Sequence, residues 1–194
     1  ELPMISIERT VENIPSVCCD NYMGGVLAAQ TLIKGGCKHP LLFGNTVVEY
    51  MPAKLRHLGF HDECKRQGVE SYEFLLDRED LFAENFHRNL DKLIRKFPDV
   101  DGIFATSDVL AVRALKSLQD RGRSAPDDFQ IVGFDGIDTS DYFNITTIAQ
   151  PIKQMGEFSV EMLIKRINGK MIPNQSILPV TLLSRRTTKN PNIR

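Results

Sequence analysis

Short strand-like runs alternate with amphipathic helical stretches through the middle of the sequence, and this alternation constrains the fold more than any other feature. An apolar run at Pro40–Gly44 is followed by a helical stretch from about Ala53 to Arg66, which ends before a glycine. The other predicted strands are Tyr72–Leu76, Gly102–Ala105 and Asp128–Phe134. Strands joined by helical crossovers predict an α/β fold with a doubly wound parallel sheet.

Two more helices complete the alternation. A helix ending before Pro98 is predicted by apolar residues spaced three and four apart: Phe82, Phe86, Leu90, Leu93 and Phe97. Another helix, from Ser107 to Asp120, follows the third strand. Ligands of doubly wound sheets bind outside the carboxyl ends of the strands. We therefore expect polar residues of the turns that follow the strands to converge on one crevice: 44–52, 77–82, 106–108 and 135–138.

The two ends of the chain predict parts of a second, smaller unit. Strand-like segments at Met4–Ile7 and Pro15–Cys19 lead into a helix at Asn21–Ile33. Near the other end Pro151 opens a helix, and Ile177–Ser184 is predicted to be one closing strand. These flanks are too small to fold as a domain of their own. We expect them to belong to a second lobe.

The charge balance argues against a nucleic-acid-binding surface within this chain. Its 24 Lys and Arg and 25 Asp and Glu are interspersed and leave a formal net charge of −1, whereas such a surface requires a basic block or stripe. The apolar runs are far too short to cross a bilayer, and the first residues lack the features of a secretory signal. We expect a globular protein without a membrane segment, with any DNA contact made elsewhere.

The sequence carries none of the common catalytic or metal-binding motifs. It has no G-x-S-x-G, Walker or G-x-G-x-x-G sequence, which argues against hydrolase, nucleotide and dinucleotide chemistry. His57 and His61 have a spacing that suits zinc, but H-E-x-x-H is not formed, so no metal or other cofactor is predicted. We interpret the cysteines as reduced, buried thiols of a cytoplasmic protein, the alternative being a redox or metal pair: Cys18, Cys19, Cys37 and Cys64.

Five motifs, in order along nearly the whole chain, resemble the effector-binding region of the lactose/galactose repressor family. They are Asp20-Asn21-Tyr22-x-Gly24-Gly25, Arg56-x-x-Gly59-Phe60, Ser107-Asp108-x-x-Ala111, Pro126-Asp127-Asp128-Phe129-x-Ile131-Val132-Gly133-Phe134-Asp135 and Thr146-Thr147-Ile148-x-Gln150-Pro151. Their common order and compatible spacing, more than any single motif, carry the resemblance. In detail the chain looks most like the sucrose- and ribose-type operon repressors of this family.

The resemblance implies a periplasmic-binding-protein-like fold, with two α/β lobes and a ligand cleft between them. Residues 1–20 are then a remnant of the N-terminal lobe, residues 21–149 a complete C-terminal lobe, and residues 150–194 the return segment to the N-terminal lobe. Crossings between the lobes are expected near Asp20 and Gln150. The DNA-binding head of the family is expected to lie outside the chain.

The function implied by the resemblance is effector sensing by a cytoplasmic, non-enzymatic transcriptional repressor. The expected partners are a sugar or sugar phosphate, operator DNA bound through the missing head, and a second copy of the chain in a homodimer. A periplasmic sugar-binding protein for transport shares the fold and is the alternative. The cysteines, interpreted as reduced, and the closing segment 184–188 favour the repressor.

The resemblance also implies which side chains contact the ligand. Arg56 and Asp135 match the arginine and aspartate with which the family binds ligand hydroxyls, and a guanidinium and a carboxylate suit such groups. The other matched positions that face the cleft are Ser107, Gln150, Glu8, Tyr50 and Phe82.

Taken without the resemblance, these residues have plainer interpretations. Arg56 is then a solvated helix residue and Asp135 caps the following turn, while either Ser107 or Asp108 caps a helix. We expect a structural role for Asp108.

The remaining candidates also have plainer alternatives. Phe82 fits the apolar stripe of a core helix as well as a platform for a sugar ring, a place that Leu81 shares. Tyr50 is alternatively a surface tyrosine, and Gln150 and Glu8 are alternatively polar residues near a hinge.

Overall fold

The computed structural model describes residues 2–46, 51, 53–81 and 83–189. Within them nine strands and six α-helices alternate. In chain order they are β1 (Ser6–Ile7), β2 (Ser16–Cys19), α1 (Asn21–Lys34), β3 (Pro40–Asn45), α2 (Ala53–Arg66), β4 (Tyr72–Leu76), α3 (Ala83–Lys96), β5 (Gly102–Ala105), α4 (Asp108–Gln119), β6 (Gln130–Asp135), α5 (Asp138–Tyr142), β7 (Thr146–Ala149), α6 (Ile152–Ile167), β8 (Gln175–Leu178) and β9 (Thr181–Leu183).

Six strands form the large sheet, in the order β4-β3-β5-β6-β7-β9. The first five are parallel and β9 is antiparallel to β7. The chain adds β4 on one side of β3 and then β5 on the other, so the direction of strand addition reverses at β3. This order confirms the predicted doubly wound α/β fold. The reversal places a crevice outside the carboxyl ends of β3 and β5.

Three parallel strands form the small sheet, in the order β1-β2-β8. Helix α6 covers one of its faces, and its Met155 and Met162 share a buried cluster with Val17 and Cys19 of β2. The chain passes between the two sheets near Asp20, at Gln150 and Pro151, and again between β8 and β9.

The prediction of one closing strand at Ile177–Ser184 is wrong. Strand β8 ends at Leu178 in the small sheet, and β9 begins at Thr181 in the large sheet. Pro179 stands between them, and proline cannot continue a strand ladder because it lacks an N–H group. This short connection is a third crossing between the sheets.

The core consists of two apolar clusters, one on each face of the large sheet, and the second cluster continues onto the small sheet. Leu41 and Phe43 of β3 point to the face that α3 and α4 cover, where Phe43 and Phe86 contact edge to face. Leu42 points to the opposite face and joins the cluster of Phe60 from α2. The alternation along β3 is that of a strand buried on both faces.

Helices α1 and α2 cross at backbone contact, because each has a glycine there. A Cβ on Gly25 would lie 2.0 Å from the carbonyl oxygen of Arg56, and one on Gly59 would lie 2.1 Å from the carbonyl oxygen of Tyr22. Any larger side chain at either position would push the helices apart. The close crossing therefore fixes the part of α2 that carries Arg56.

Two segments differ from their sequence-based interpretation. Asp138 and Asp141 belong to the short helix α5, which the sequence pattern did not predict. Strand β7 was not expected, because its residues Thr146 and Thr147 are polar although both are completely buried. The four cysteines are free and buried, as predicted. In the described part of the chain, no helix combines the length and apolar character needed to span a membrane.

Candidate functional site

Arg56 lies on the first turns of α2 and points across the carboxyl ends of β5 and β6. Its Nη1 donates to the carbonyl oxygen of Thr106 at 2.7 Å, directly after β5. Its Nε and Nη2 both donate to Asn21 Oδ1, at 3.0 and 2.6 Å. These bonds to described residues use three of the five guanidinium N–H groups. The side chain is thus a fixed donor at the crevice, not a solvated helix residue, and is only 8% exposed.

The guanidinium of Arg56 also stacks on an aromatic ring. Its Cζ lies 3.7 Å from the ring centroid of Phe134, the penultimate residue of β6. Burial lowers the pKa of Arg56, and the charge of Asp135 opposes that shift. Because an arginine pKa lies so far above neutrality, the group stays charged. A buried cation held on a ring face is available to hydrogen-bond a polar ligand.

Asp135 ends β6 and occupies a strained backbone conformation. Its φ is 117°, a region that side chains other than glycine rarely adopt. The carboxylate Oδ1 accepts a bond from Gln150 Nε2 at 2.7 Å. Burial raises the pKa of the Asp135 carboxyl, and the bond from Gln150 and the charge of Arg56 counteract the increase. Arg56 and Asp135 carry opposite charges that act on each other at one end of the large sheet, and we call these two residues the central pair.

Asp108, at the start of α4, holds the turn that presents Asp135. It is fully buried, and its Oδ2 accepts bonds from the backbone N–H groups of Gly136 and Ile137, at 2.8 and 2.9 Å. Its Oδ1 accepts a bond from the Thr147 hydroxyl at 2.5 Å. The carboxylate joins α4, the end of β6 and β7, which is the structural role expected of it.

Ser107 and Gln150 occupy neighbouring positions around this pair. Ser107 has extended backbone angles and caps α4, since its side chain accepts a bond from Leu110 N at 3.3 Å. Gln150 lies at the second crossing, where its backbone N–H also donates to the carbonyl oxygen of Asp135 at 3.0 Å. Both are placed at the crevice, and their contact with a ligand remains a prediction.

Glu8 approaches the site from the small sheet. It has a φ of 55°, and its Oε1 accepts a bond from Cys19 N at 2.5 Å. Its Oε2 accepts a bond from Asn21 Nδ2 at 3.2 Å. Because Asn21 also binds Arg56, Glu8 is connected to the arginine through one side chain.

Two predicted ligand contacts, Tyr50 and Phe82, lie outside the described residues. Two cavities of the described chain are not lined by the central pair itself, although Asn21 lines the second of them. One of about 590 Å³ is bounded by the loop 10–16 and the end of α6, and another of about 340 Å³ lies beside the first crossing. Neither is lined by Arg56 or Asp135. We define the site by its converging side chains, because they carry the polar chemistry.

The described residues contain no cluster of three His, Cys, Asp or Glu side chains arranged to hold a metal ion. Sequence reasoning missed the roles of Asn21, Thr106 and Phe134, which hold Arg56 in place. Asn21 and Arg56 are 35 residues apart, and no periodic pattern links such positions. Two signals were available: Asn21 and Phe134 belong to the motifs that carry the resemblance, and all three residues stand at or next to the start of a helix or the end of a strand.

Comparison with known sequences identifies the family of this chain. Residues 29–188 match the periplasmic binding protein-like domain family. A ribose operon repressor of Halalkalibacterium halodurans is 35% identical over 97% of this chain and 57% of its own length. A sucrose operon repressor of Streptococcus mutans is 33% identical over 94% of this chain and 56% of its own length. The chain thus spans somewhat more than half the length of these relatives.

Solved structures show the same fold. A periplasmic binding protein/LacI transcriptional regulator from Alkaliphilus metalliredigens, complexed with D-xylulofuranose, superposes with a TM-score of 0.82 and 30% identity, covering 97% of this chain and 71% of that one. A LacI family regulator from Enterococcus faecium with bound ribose gives a TM-score of 0.82 at 26% identity, with 96% and 70% covered. The chain therefore belongs to the periplasmic binding protein-like domain family, in the form found in lactose/galactose-type transcriptional regulators.

Proposed function

We propose that this chain is the effector-sensing domain of a sugar-responsive transcriptional repressor. The observation that carries the proposal is that the side chain of Arg56, from α2, and Asp135, at the end of β6, lie together at the carboxyl edge of the large sheet. Arg56 donates hydrogen bonds and Asp135 accepts them, so together they bind a polyhydroxyl ligand from both sides. Ser107, Gln150 and Glu8 supply further polar groups around the ligand.

The charge balance of the pair favours a neutral sugar over a sugar phosphate. The positive charge of Arg56 is opposed by the carboxylate of Asp135, and Glu8 adds a second carboxylate nearby. A phosphate group would be attracted by one charge and repelled by two. A neutral sugar avoids this repulsion and uses the same hydrogen bonds.

The proposed mechanism is non-catalytic. A ligand that binds one arrangement of the two sheets more tightly than another shifts the protein toward that arrangement. A coupling of roughly 1–3 kcal/mol changes operator affinity about 5- to 150-fold. Binding energy alone is sufficient, and no bond in the ligand is broken.

The partners and location follow from the same proposal. Operator DNA is bound outside the residues described here, because their charges are interspersed. The repressor acts in the cytoplasm as a homodimer. Exposed apolar side chains on and beside α5 are available for contact with a second copy: Tyr142, Phe143 and Val109.

Thermal-shift screening of the intact protein tests the ligand class. Monosaccharides, disaccharides, their phosphates and purines are compared, and we expect stabilisation by at least one neutral sugar. Arg56→Ala and Asp135→Ala should each abolish that shift while the protein stays folded by circular dichroism. Stabilisation by purines alone would overturn the sugar proposal, and unchanged sugar binding in both variants would overturn the site.

A further inference from the structure

Asn21 is a buried amide whose polar atoms are all engaged. It is the first residue of α1, directly after the first crossing, and is 1% exposed. Its Oδ1 accepts both Nε and Nη2 of Arg56. Its Nδ2 donates to Cys19 O and to Glu8 Oε2, each at 3.2 Å. Two bonds accepted and two donated saturate a carboxamide.

The chemistry of the partners fixes the orientation of this amide. A guanidinium only donates, so Arg56 must face the oxygen of Asn21. An ionised carboxylate only accepts, so Glu8 must face the nitrogen. A rotation of the amide by 180° would lose all four bonds. Asn21 is therefore held in one orientation, and it holds the plane of the guanidinium in turn.

This arrangement joins the two sheets through one side chain. Glu8 follows β1 of the small sheet. Arg56 donates a hydrogen bond to the carbonyl oxygen of Thr106, directly after β5 of the large sheet. The left-handed φ of Glu8 and its bond to Cys19 N hold its carboxylate toward the first crossing. The amide thus links Glu8 to Arg56 across the first crossing.

We propose that Asn21 is a positioning residue that couples the arrangement of the two sheets to the ligand-binding arginine. Because an amide is neutral, it orients Arg56 without neutralising its charge, which is left for Asp135 and the ligand. The ligand part of this proposal rests on the function proposed above, whereas the positioning of Arg56 is measurable without any ligand.

The ligand-free measurement follows the Arg56 Nε–H signal by nuclear magnetic resonance of the intact protein. In the unaltered protein we expect a slowly exchanging signal, since this proton is buried and hydrogen-bonded. Asn21→Leu should accelerate its exchange at least about tenfold, because the acceptor is lost. Tyr22→Phe is the matched control, since it removes the bond of the next residue to Asp62 and leaves the amide untouched.

The second measurement replaces the neutral amide of Asn21 with a carboxylate. Asn21→Asp keeps an oxygen that accepts from Arg56 but places a new carboxylate against that of Glu8. Sugar affinity should therefore fall about tenfold at pH 8 and recover toward pH 5, where the two carboxylates share a proton. Adding Glu8→Gln supplies a new donor to the new carboxylate. Affinity should then recover partly at pH 8 when compared with Glu8→Gln alone, which is the reference that accounts for any contact of Glu8 with the ligand. Cys19 O still lacks its donor.

The outcomes separate the two proposals. An Arg56 signal that Asn21→Leu leaves unchanged overturns the positioning role, as does an affinity loss in Asn21→Asp that neither low pH nor Glu8→Gln reduces. If the unaltered protein binds no sugar while Asn21→Leu releases the Arg56 signal, the positioning role stands and the proposed function fails.

Discussion

The guanidinium of Arg56 lies over the ring of Phe134, with Cζ 3.7 Å from the ring centroid. The ring both supports the cation and fills the core beneath it, since Phe134 is completely buried. Phe134→Leu should therefore lower the free energy of unfolding by about 1–3 kcal/mol and weaken sugar binding as well. Urea unfolding and calorimetric titration measure the two effects. Phe129→Leu, at the opposite end of the β6 region, is the control and should lower stability alone.

The backbone contact between α1 and α2 predicts a large effect of one methyl group. Gly25→Ala would place its Cβ against the carbonyl of Arg56, so we expect a loss of about 1–3 kcal/mol in stability and weaker ligand binding. Gly156→Ala in α6 meets no atom within 4 Å and should instead stabilise the protein by about 1 kcal/mol. Thermal and urea unfolding of both variants test this contrast. Equal effects of the two substitutions would contradict the described crossing.

His57 predicts how stability depends on pH. It is 4% exposed, its Nε2 has no hydrogen-bond partner in the described residues, and burial lowers its pKa to about 4. In the unfolded chain a histidine titrates near pH 6.5, so between these values the unfolded state binds the extra proton. The stability associated with the neutral ring is present above about pH 6.5 and is lost as the pH falls toward 4, by about 2–3 kcal/mol.

Urea unfolding at several pH values between 7 and 4 measures this loss. His57→Leu should reduce the slope of stability against pH in that interval. His87→Gln alters an exposed histidine and should retain the slope. A steep slope that persists in His57→Leu would assign the effect to other groups.

The carboxylate of Asp108 predicts a link between stability and the site. The two carboxylate oxygens of Asp108 accept three hydrogen bonds, and Asp108→Asn leaves only one of these oxygens. We therefore expect the free energy of unfolding to fall by about 1–3 kcal/mol. Since the turn that presents Asp135 then loosens, sugar affinity should fall too. Asp128→Asn also removes a carboxylate bound to backbone N–H, at Ser124, but lies away from the site. It should leave sugar affinity unchanged.

Much of the large sheet was predictable because its elements are apolar and regularly spaced. The predicted bounds of α2, β4 and β5 agree with the structure residue by residue. Strand β7 was missed since its buried threonines are satisfied by distant groups: Thr146 N–H donates to Thr187 Oγ1 at 2.9 Å, and Thr147 binds Asp108. Such compensation depends on tertiary contacts that no local pattern contains.

The site was predictable to a similar extent. Arg56 and Asp135 were predicted as ligand contacts from the resemblance and from their places near strand ends. The structure brings both to one edge of the large sheet, and their contact with a ligand stays a prediction. The groups that orient them, Asn21 and Gln150, act across 35 and 15 residues of sequence. Their roles follow from where the crossings bring separate segments together, which is a property of the folded chain.

The short connection at Pro179 and Val180 has a mechanical consequence, because the two sheets are already connected near Asp20 and at Gln150. A body attached at one point can turn in any direction, whereas three short attachments resist twisting and sliding. We therefore expect bending of one sheet relative to the other to be the softest motion left to them. Under the proposed function, a ligand in the crevice would change this one angle, which a rigidly attached neighbour can follow.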